Sequence, residues 1–423
     1  MMRLVTVGLV SGFCVMGVCA DTSVWSEFRG SAKDGTSAAT GLPLTWNETE
    51  NIVWKTEIPG IGHSSPVAAG GRIWFTQSPD GGRTRHVMCV DFETGKIIRN
   101  IPLFTWDPES EQKYHDMNSH ATPTPVVEGN RVYVTFGNPG TACLNAETGE
   151  TIWTRTDIIN RYFDVGPASC PTLYGNKLII QCDGQPSAAR FVIALDKDTG
   201  KTLWRTDRRY PNDEVPGYTH ASCMPLAVTV NGRQQLVSPG ANGVRGYDLE
   251  TGEELWVARY KAWSVVPRPV SDGNLVFICA GVVNPIMLAI RLDKAKGDIT
   301  DSDAIVWSTT KRVPDMPSPL LINNRFYTLL AAGKFSCLDP ATGDEIWSEN
   351  LPKQHLASPI STEGRIYLFN TEGTATVVAL GDTFRLLASN KLDTGCHATP
   401  AIVGKSLIVR TSSHLYRIED MKR

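Results

Sequence analysis

The chain has 423 residues, with 41 Lys and Arg against 44 Asp and Glu, and a formal charge of −3 at pH 7. That balance, with no basic stripe or arginine-rich run, excludes the electrostatic footprint of a nucleic-acid-binding protein. The length fits two or three ordinary domains or one repeat architecture, so internal recurrence has to decide.

The first twenty residues, MMRLVTVGLVSGFCVMGVCA, carry one charge at Arg3, an apolar core from Leu4 to Val18 and a small residue at Ala20. This is the layout of a cleavable signal peptide, so the mature chain is expected to begin at Asp21 and to work in the periplasm or cell envelope. The apolar core falls short of the ~20 residues of a bilayer span, and no later stretch reaches that length. Val18 before Cys19 disfavours a lipid anchor, because such signals place a small residue there. The expected product is an exported monomer.

From residue 51 onward one phrase recurs. VDFETGKIIR starts at 90, LNAETGETIW at 144, LDKDTGKTLW at 195, YDLETGEELW at 247 and LDPATGDEIW at 338. One full unit, residues 120–156, parses into four β-prone runs, TPTPVV, RVYVTFG, TACLNA and TIWTRT, separated by turn residues. The parse restarts at Pro66, Pro123, Pro171, Pro225, Pro267, Pro319, Pro359 and Pro400, giving units of roughly 50 residues, enough for four short strands and their turns. Trp153, Trp204, Trp256 and Trp307 keep the same period. The last unit, HATPAIVGKSLIVRTSSHLYRIE, supplies three strands, and NIVWKTEI at 51–58, with Trp54 in the tryptophan position, supplies the fourth. The expected fold is therefore all-β: an eight-bladed β-propeller of four-stranded antiparallel blades, one domain over 21–423, its ring closed by the N-terminal strand.

Within the phrase, Asp or Asn and Thr accept backbone N–H groups across a hairpin, and Gly supplies a positive φ. The tryptophan then lies on the outermost strand, packed against the next blade. Arg99 replaces it in the first unit, and LGDTFRLLAS at 380–389 has lost both glycine and tryptophan. Eight cysteines follow the signal segment. Cys89, Cys143 and Cys337 hold equivalent places in different blades, too far apart to bridge, which points to buried free thiols. The acidic run DKAKGDITDSD at 293–303 lacks the alternation of a calcium loop and reads as a solvated insertion.

The pattern Asp-x-x-Thr-Gly-x-x-x-Trp resembles the tryptophan-docking repeat of the quinoprotein alcohol dehydrogenases and of the outer-membrane assembly lipoprotein BamB, over essentially all of 21–423. GHSSPV, NSHATPTPVVEGNRVYVTFG, FVIALDKDTGKTLWR, SVVPRPV and HLYRIE are similar to PQQ-binding-like β-propeller repeat proteins. The resemblance implies either a non-catalytic scaffold binding a protein or other envelope component, or a dehydrogenase using pyrroloquinoline quinone (PQQ) and calcium. It does not fix which, because one fold hosts both. The adjacent cysteine pair common in the dehydrogenases has no counterpart here, nor is there a Cys-x-x-Cys-His haem motif.

Strand order places any ligand on the face where the inner strands begin, opposite the recurring turns. His63, His120 and His397 stand three residues before Pro66, Pro123 and Pro400 on consecutive blades, so three neutral imidazoles are candidates for a transition metal, or for a polar ring bonded to water. His220 and Arg268 are further ligand candidates, Arg268 for an anion or for backbone carbonyls. Trp106, Tyr114 and Tyr162 would serve as stacking surfaces if the ligand were a saccharide.

Overall fold

The computed structural model describes residues 21–106, 114–159, 166–184, 190–208 and 220–422. Residues 1–20, expected to be a signal segment, and Tyr162 lie outside the described residues.

Eight sheets surround one axis, each built on an antiparallel meander. Blade 2 is typical, with strands Val126–Glu128, Arg131–Thr135, Thr141–Asn145 and Thr151–Arg155 from axis to rim. Its two middle strands are buried on both faces, because each blade is sandwiched between neighbours, whereas the rim strand alternates with Trp153 inward. Burying each such aliphatic side chain stabilises by roughly 1.5–3 kcal/mol. The final blade is built from Ala401–Val403, Ser406–Arg410 and His414–Ile418, and Ile52–Glu57 pairs antiparallel with the last of these. The N-terminal strand thus closes the ring.

The recurring phrase is a seat as well as a turn. Trp54, Trp153, Trp204 and Trp307 donate Nε1–H to Phe92, Lys197, Leu249 and Pro340 carbonyls in the phrase of the following blade, at 2.9–3.1 Å. The phrase glycine lies beneath the ring: a Cβ on Gly252 would stand 2.5 Å from Trp204, and one on Gly95 2.6 Å from Trp54. Arg99 takes the same place, donating to the Glu147 carbonyl.

Two sequence expectations need correction, and one segment was unassigned. The inner strands of blades 2 and 5 begin after Pro125 and Pro269, at Val126 and Val270, two residues later than the expected starts at Pro123 and Pro267. In TPTPVV and VPRPV two prolines compete for one register, and burial of the following valines decides it. The insertion 293–303 is not wholly solvated: Gly297–Asp298 adds a fifth, parallel strand to blade 4, with Ile299 buried. Finally, residues 22–46, unassigned by the repeat, pack into the propeller.

That segment corks the axial channel from the face carrying the phrase turns. Trp25 exchanges backbone hydrogen bonds with Ala68 of blade 1, and the Ser26 carbonyl accepts from Val127 of blade 2. Arg29 donates to Ser318 and Pro319 carbonyls of blade 6, and Ser37 and Gly35 bond Ser361 of blade 7. The chain leaves along blade 7, where Trp46 stacks on Tyr367 and Phe369.

Candidate functional site

The cork makes the axial channel a blind cup, opening on the face where inner strands begin and floored by Phe28. It encloses about 230 Å3. Its wall follows from the residues preceding each inner strand, where proline holds its predecessor extended and aims it at the axis.

Residues immediately before the prolines form a lower tier. Backbone N–H groups link it blade to blade: Ser65 donates to Thr124 Oγ1 at 3.0 Å, Thr124 to Cys170 Sγ at 3.1 Å, Arg268 to Ser318 Oγ at 3.0 Å. Ser318 then donates to Ser358 Oγ, Ser358 to Thr399 Oγ1 and Thr399 to Ser65 Oγ, at 2.9–3.0 Å. The two remaining steps run from Ser169 Oγ to the Cys223 carbonyl and from Cys223 Sγ to the Pro267 carbonyl. A hydrogen-bonded belt therefore circles the axis.

Residues three before the prolines form the upper tier. His63 and His397 belong to it, with Thr122, Ser222 and Met316 on other blades. The two imidazoles stack at 4.5 Å with planes 9° apart, and both Nδ1 atoms are buried without a hydrogen-bond partner among the described residues. Burial, then the neighbouring His397 and Arg410, push His63 down to about 3; burial also lowers His397. Both rings are neutral at pH 7.

The other candidates are placed differently. His120 is not in the register of His63, because Pro125 rather than Pro123 sets it. Its ring packs on Tyr114 at 4.4 Å, with Nδ1 3.3 Å from Arg85, so the expected trio is a pair. His220 lines the cup and meets Trp263 edge-on at 5.8 Å. Arg268 is fully buried and bound to Glu27 Oε1 at 2.9 Å, with the Phe28 carbonyl and Thr172 Oγ1. Its anion is the chain's own cork. Trp106 and Tyr114 do not line the cup.

Sequence reasoning missed the belt and the cork. The belt had a signal, since Ser, Thr or Cys precedes the register proline in six blades. The cork had none in the repeat pattern, and a Glu and an Arg in WSEFRG read as solvated until their partners are known.

An eight-bladed propeller with an axial cup is the architecture of PQQ-like repeat proteins. The family described as "Outer membrane protein assembly factor BamB" matches residues 29–156, 104–295 and 291–421, and the chain belongs to that family. Quinohemoprotein alcohol dehydrogenase ADH IIB of Pseudomonas putida is 29% identical over 241 residues, 54% of this chain and 33% of that protein. Tetrathionate hydrolase of Acidithiobacillus ferrooxidans is 21% identical over 262 residues, 59% of this chain and 49% of the relative. This chain thus spans a third to a half of the length of these curated relatives. Among solved structures, BamB of Moraxella catarrhalis superposes with a TM-score of 0.62 at 12% identity, covering 88% of this chain and 98% of that one. A europium-containing methanol dehydrogenase gives 0.67 at 11%, covering 93% and 91%. Both structural likenesses speak to the fold.

The dehydrogenase relatives raise the question of a quinone. PQQ bears carboxylates, and its calcium partner takes hard oxygen ligands, carboxylates foremost. Among the described residues the cup wall contains no Asp or Glu to hold that calcium. Nor do the described residues contain a group of three or more His, Cys, Asp or Glu side chains placed for a metal. The described donors do not fit a calcium-quinone pair.

Proposed function

We propose that the protein is an exported, non-catalytic propeller that binds a protein or other component of the cell envelope through its faces. Membership of the BamB family supports this reading. The observation that carries it is the described wall of the cup, which is built from hydroxyl, imidazole, thioether, thiol, aliphatic and phenyl groups with one carboxamide, Asn118, and offers no carboxylate as general base or calcium ligand. The fold supplies the rest: a closed ring with a corked channel presents two broad loop faces and few free strand edges.

A quinone-dependent oxidoreductase is the second reading, favoured by the dehydrogenase relatives. One preparation separates the two. Protein recovered from the envelope is cross-linked in place and, separately, titrated with PQQ and calcium while its absorbance is followed. A reproducible cross-linked envelope partner with no stoichiometric quinone uptake is expected; calcium-dependent uptake of one quinone per chain would overturn the scaffold reading.

A further inference from the structure

The belt leaves a chemical residue. Ser65, Thr124, Ser318, Ser358 and Thr399 each spend one oxygen lone pair accepting a backbone N–H from the preceding blade. A hydroxyl also carries a proton to donate. None of these five O–H groups has an acceptor among the described residues, all five side chains line the cup, and each residue is 2–3% exposed. Facing the open cup, these O–H groups donate to whatever fills it, water or solute, so five of them converging on one axis define a place for acceptor atoms.

The sign of the charge around them agrees. Arg29 and Arg410 are buried directly behind the crown: Arg29 Nη1 is 3.1 Å from the Ser318 carbonyl, and Arg410 Nη1 is 2.9 Å from the Ser64 carbonyl and Oγ. Both bind carbonyl, hydroxyl or amide oxygens, and neither has a carboxylate within 4.0 Å among the described residues, although Asp34 acts on Arg29 from beyond that distance. Burial pulls each guanidinium down to about 9, which still leaves it charged at neutral pH. Arg268 and Lys33 share Glu27, so this cluster adds no compensating negative charge. Asp315, next to Met316 of the upper tier, has Oδ1 taken up by the N–H groups of Met316 and Ala331.

We infer that the cup is a binding site for a small oxyanion, a carboxylate- or sulfate-type group, seated on the crown of Ser65, Thr124, Ser318, Ser358 and Thr399 with Arg29 and Arg410 behind it. The group enters from the open face and comes to rest above Phe28. Hydroxyl donors and guanidinium charge act together on it, as in other charge-assisted anion sites. The stacked neutral imidazoles of His63 and His397 form one side of its vestibule. This site goes beyond the scaffold reading and does not depend on a protein partner, since it is complete within one chain.

The test uses the mature protein alone. Sodium acetate and sodium sulfate are titrated at ionic strength matched with sodium chloride, while the methyl resonances of Thr124, Thr399 and Met316 are followed; acetamide and tetramethylammonium chloride are the neutral and cationic controls. A saturable shift with acetate or sulfate is expected, with acetamide weaker by at least about tenfold and no response to tetramethylammonium. Thr399→Val and Ser358→Ala should each weaken acetate by about tenfold, and Ser308→Ala, exposed on the rim strand Ile305–Thr309, should leave it within about twofold. If the crown variants fail to fold, the wild-type preference for acetate over acetamide remains the criterion. Equal binding of acetate and acetamide, or no saturable response to either oxyanion, would overturn the inference. A peptide with a free C-terminal carboxylate, set against its amide, distinguishes a chain terminus from a free small acid as the source.

Discussion

Glu27 and Arg268 meet 2.9 Å apart at the propeller axis, 241 residues apart in sequence and both buried. Burial alone would raise the Glu27 carboxyl, but Arg268 and Lys33 outweigh it and hold the group below its usual range. The pair fastens the N-terminal cork to blade 5, while Thr172 Oγ1 ties the same carboxylate to blade 3. Removing one partner strands the other charge away from water. Glu27→Gln should therefore cost roughly 3–5 kcal/mol of unfolding free energy. Arg268→Met alone should cost a similar amount, and the double variant less than the sum of the two, measured as urea midpoints in a double-mutant cycle.

The stacked pair His63 and His397 sets a pH dependence. Above the ordinary value of 6.5 both rings are neutral folded or unfolded, so they contribute no pH slope. Below it the unfolded chain takes up protons that the folded one refuses until His63 reaches about 3. Stability is therefore full above pH 6.5 and falls as pH drops, by roughly 1.4 kcal/mol per pH unit for a histidine with so large a shift. Between pH 7 and 5 the urea midpoint should fall, in a window that lies above the carboxylate range. His63→Asn should flatten that slope; an unchanged slope would show that the proton uptake occurs elsewhere.

The tryptophan seats make a prediction about glycines that look alike in sequence. Gly252 has φ +75° and its absent Cβ leaves room for Trp204, whereas Gly404 has φ +57° with nothing within 4 Å of the same position. Gly404→Ala should cost only the left-handed backbone penalty, about 1 kcal/mol. Gly252→Ala adds displacement of the indole and of its bond to the Leu249 carbonyl, and should cost about 1–3 kcal/mol more. Thermal or urea unfolding of the two variants side by side checks the difference.

These same features mark how far the sequence could be read. Blade number, strand order and the closure by Ile52–Glu57 were legible, because turn, tryptophan and proline recur at a fixed period and each recurrence has a physical cause. The register of blades 2 and 5 was not, since TPTP and VPRP each contain two prolines and only the burial of Val126 and Val270 chooses between them. That two-residue difference decides the site: it separates His120 from His63 and His397. Arg268 was legible as a group for an anion or for backbone carbonyls, but not that it takes both, Glu27 and the Phe28 carbonyl, because no repeat pattern positions the cork. The belt was visible as small polar residues before proline, yet its circuit from blade to blade exists only once the ring is closed.

The cysteines give the last test. All eight cysteines among the described residues are free and buried. Burial raises their thiols, to about 11 at Cys143 and Cys337 and about 12 at Cys89, so the thiolate fraction is minute at neutral pH. Cys89, Cys143 and Cys337 sit in the third strands of blades 1, 2 and 6, with their sulfurs facing packed neighbours. Such thiols resist oxidation because they are buried and carry almost no thiolate. Native protein should be almost silent to a thiol reagent, and denatured protein should report all eight. A reducing agent should leave the unfolding midpoint unchanged, whereas a structural disulfide would give a loss of about 2–5 kcal/mol. A shortfall in the denatured thiol count, restored by reduction, would place a bridge where the structure has separate thiols.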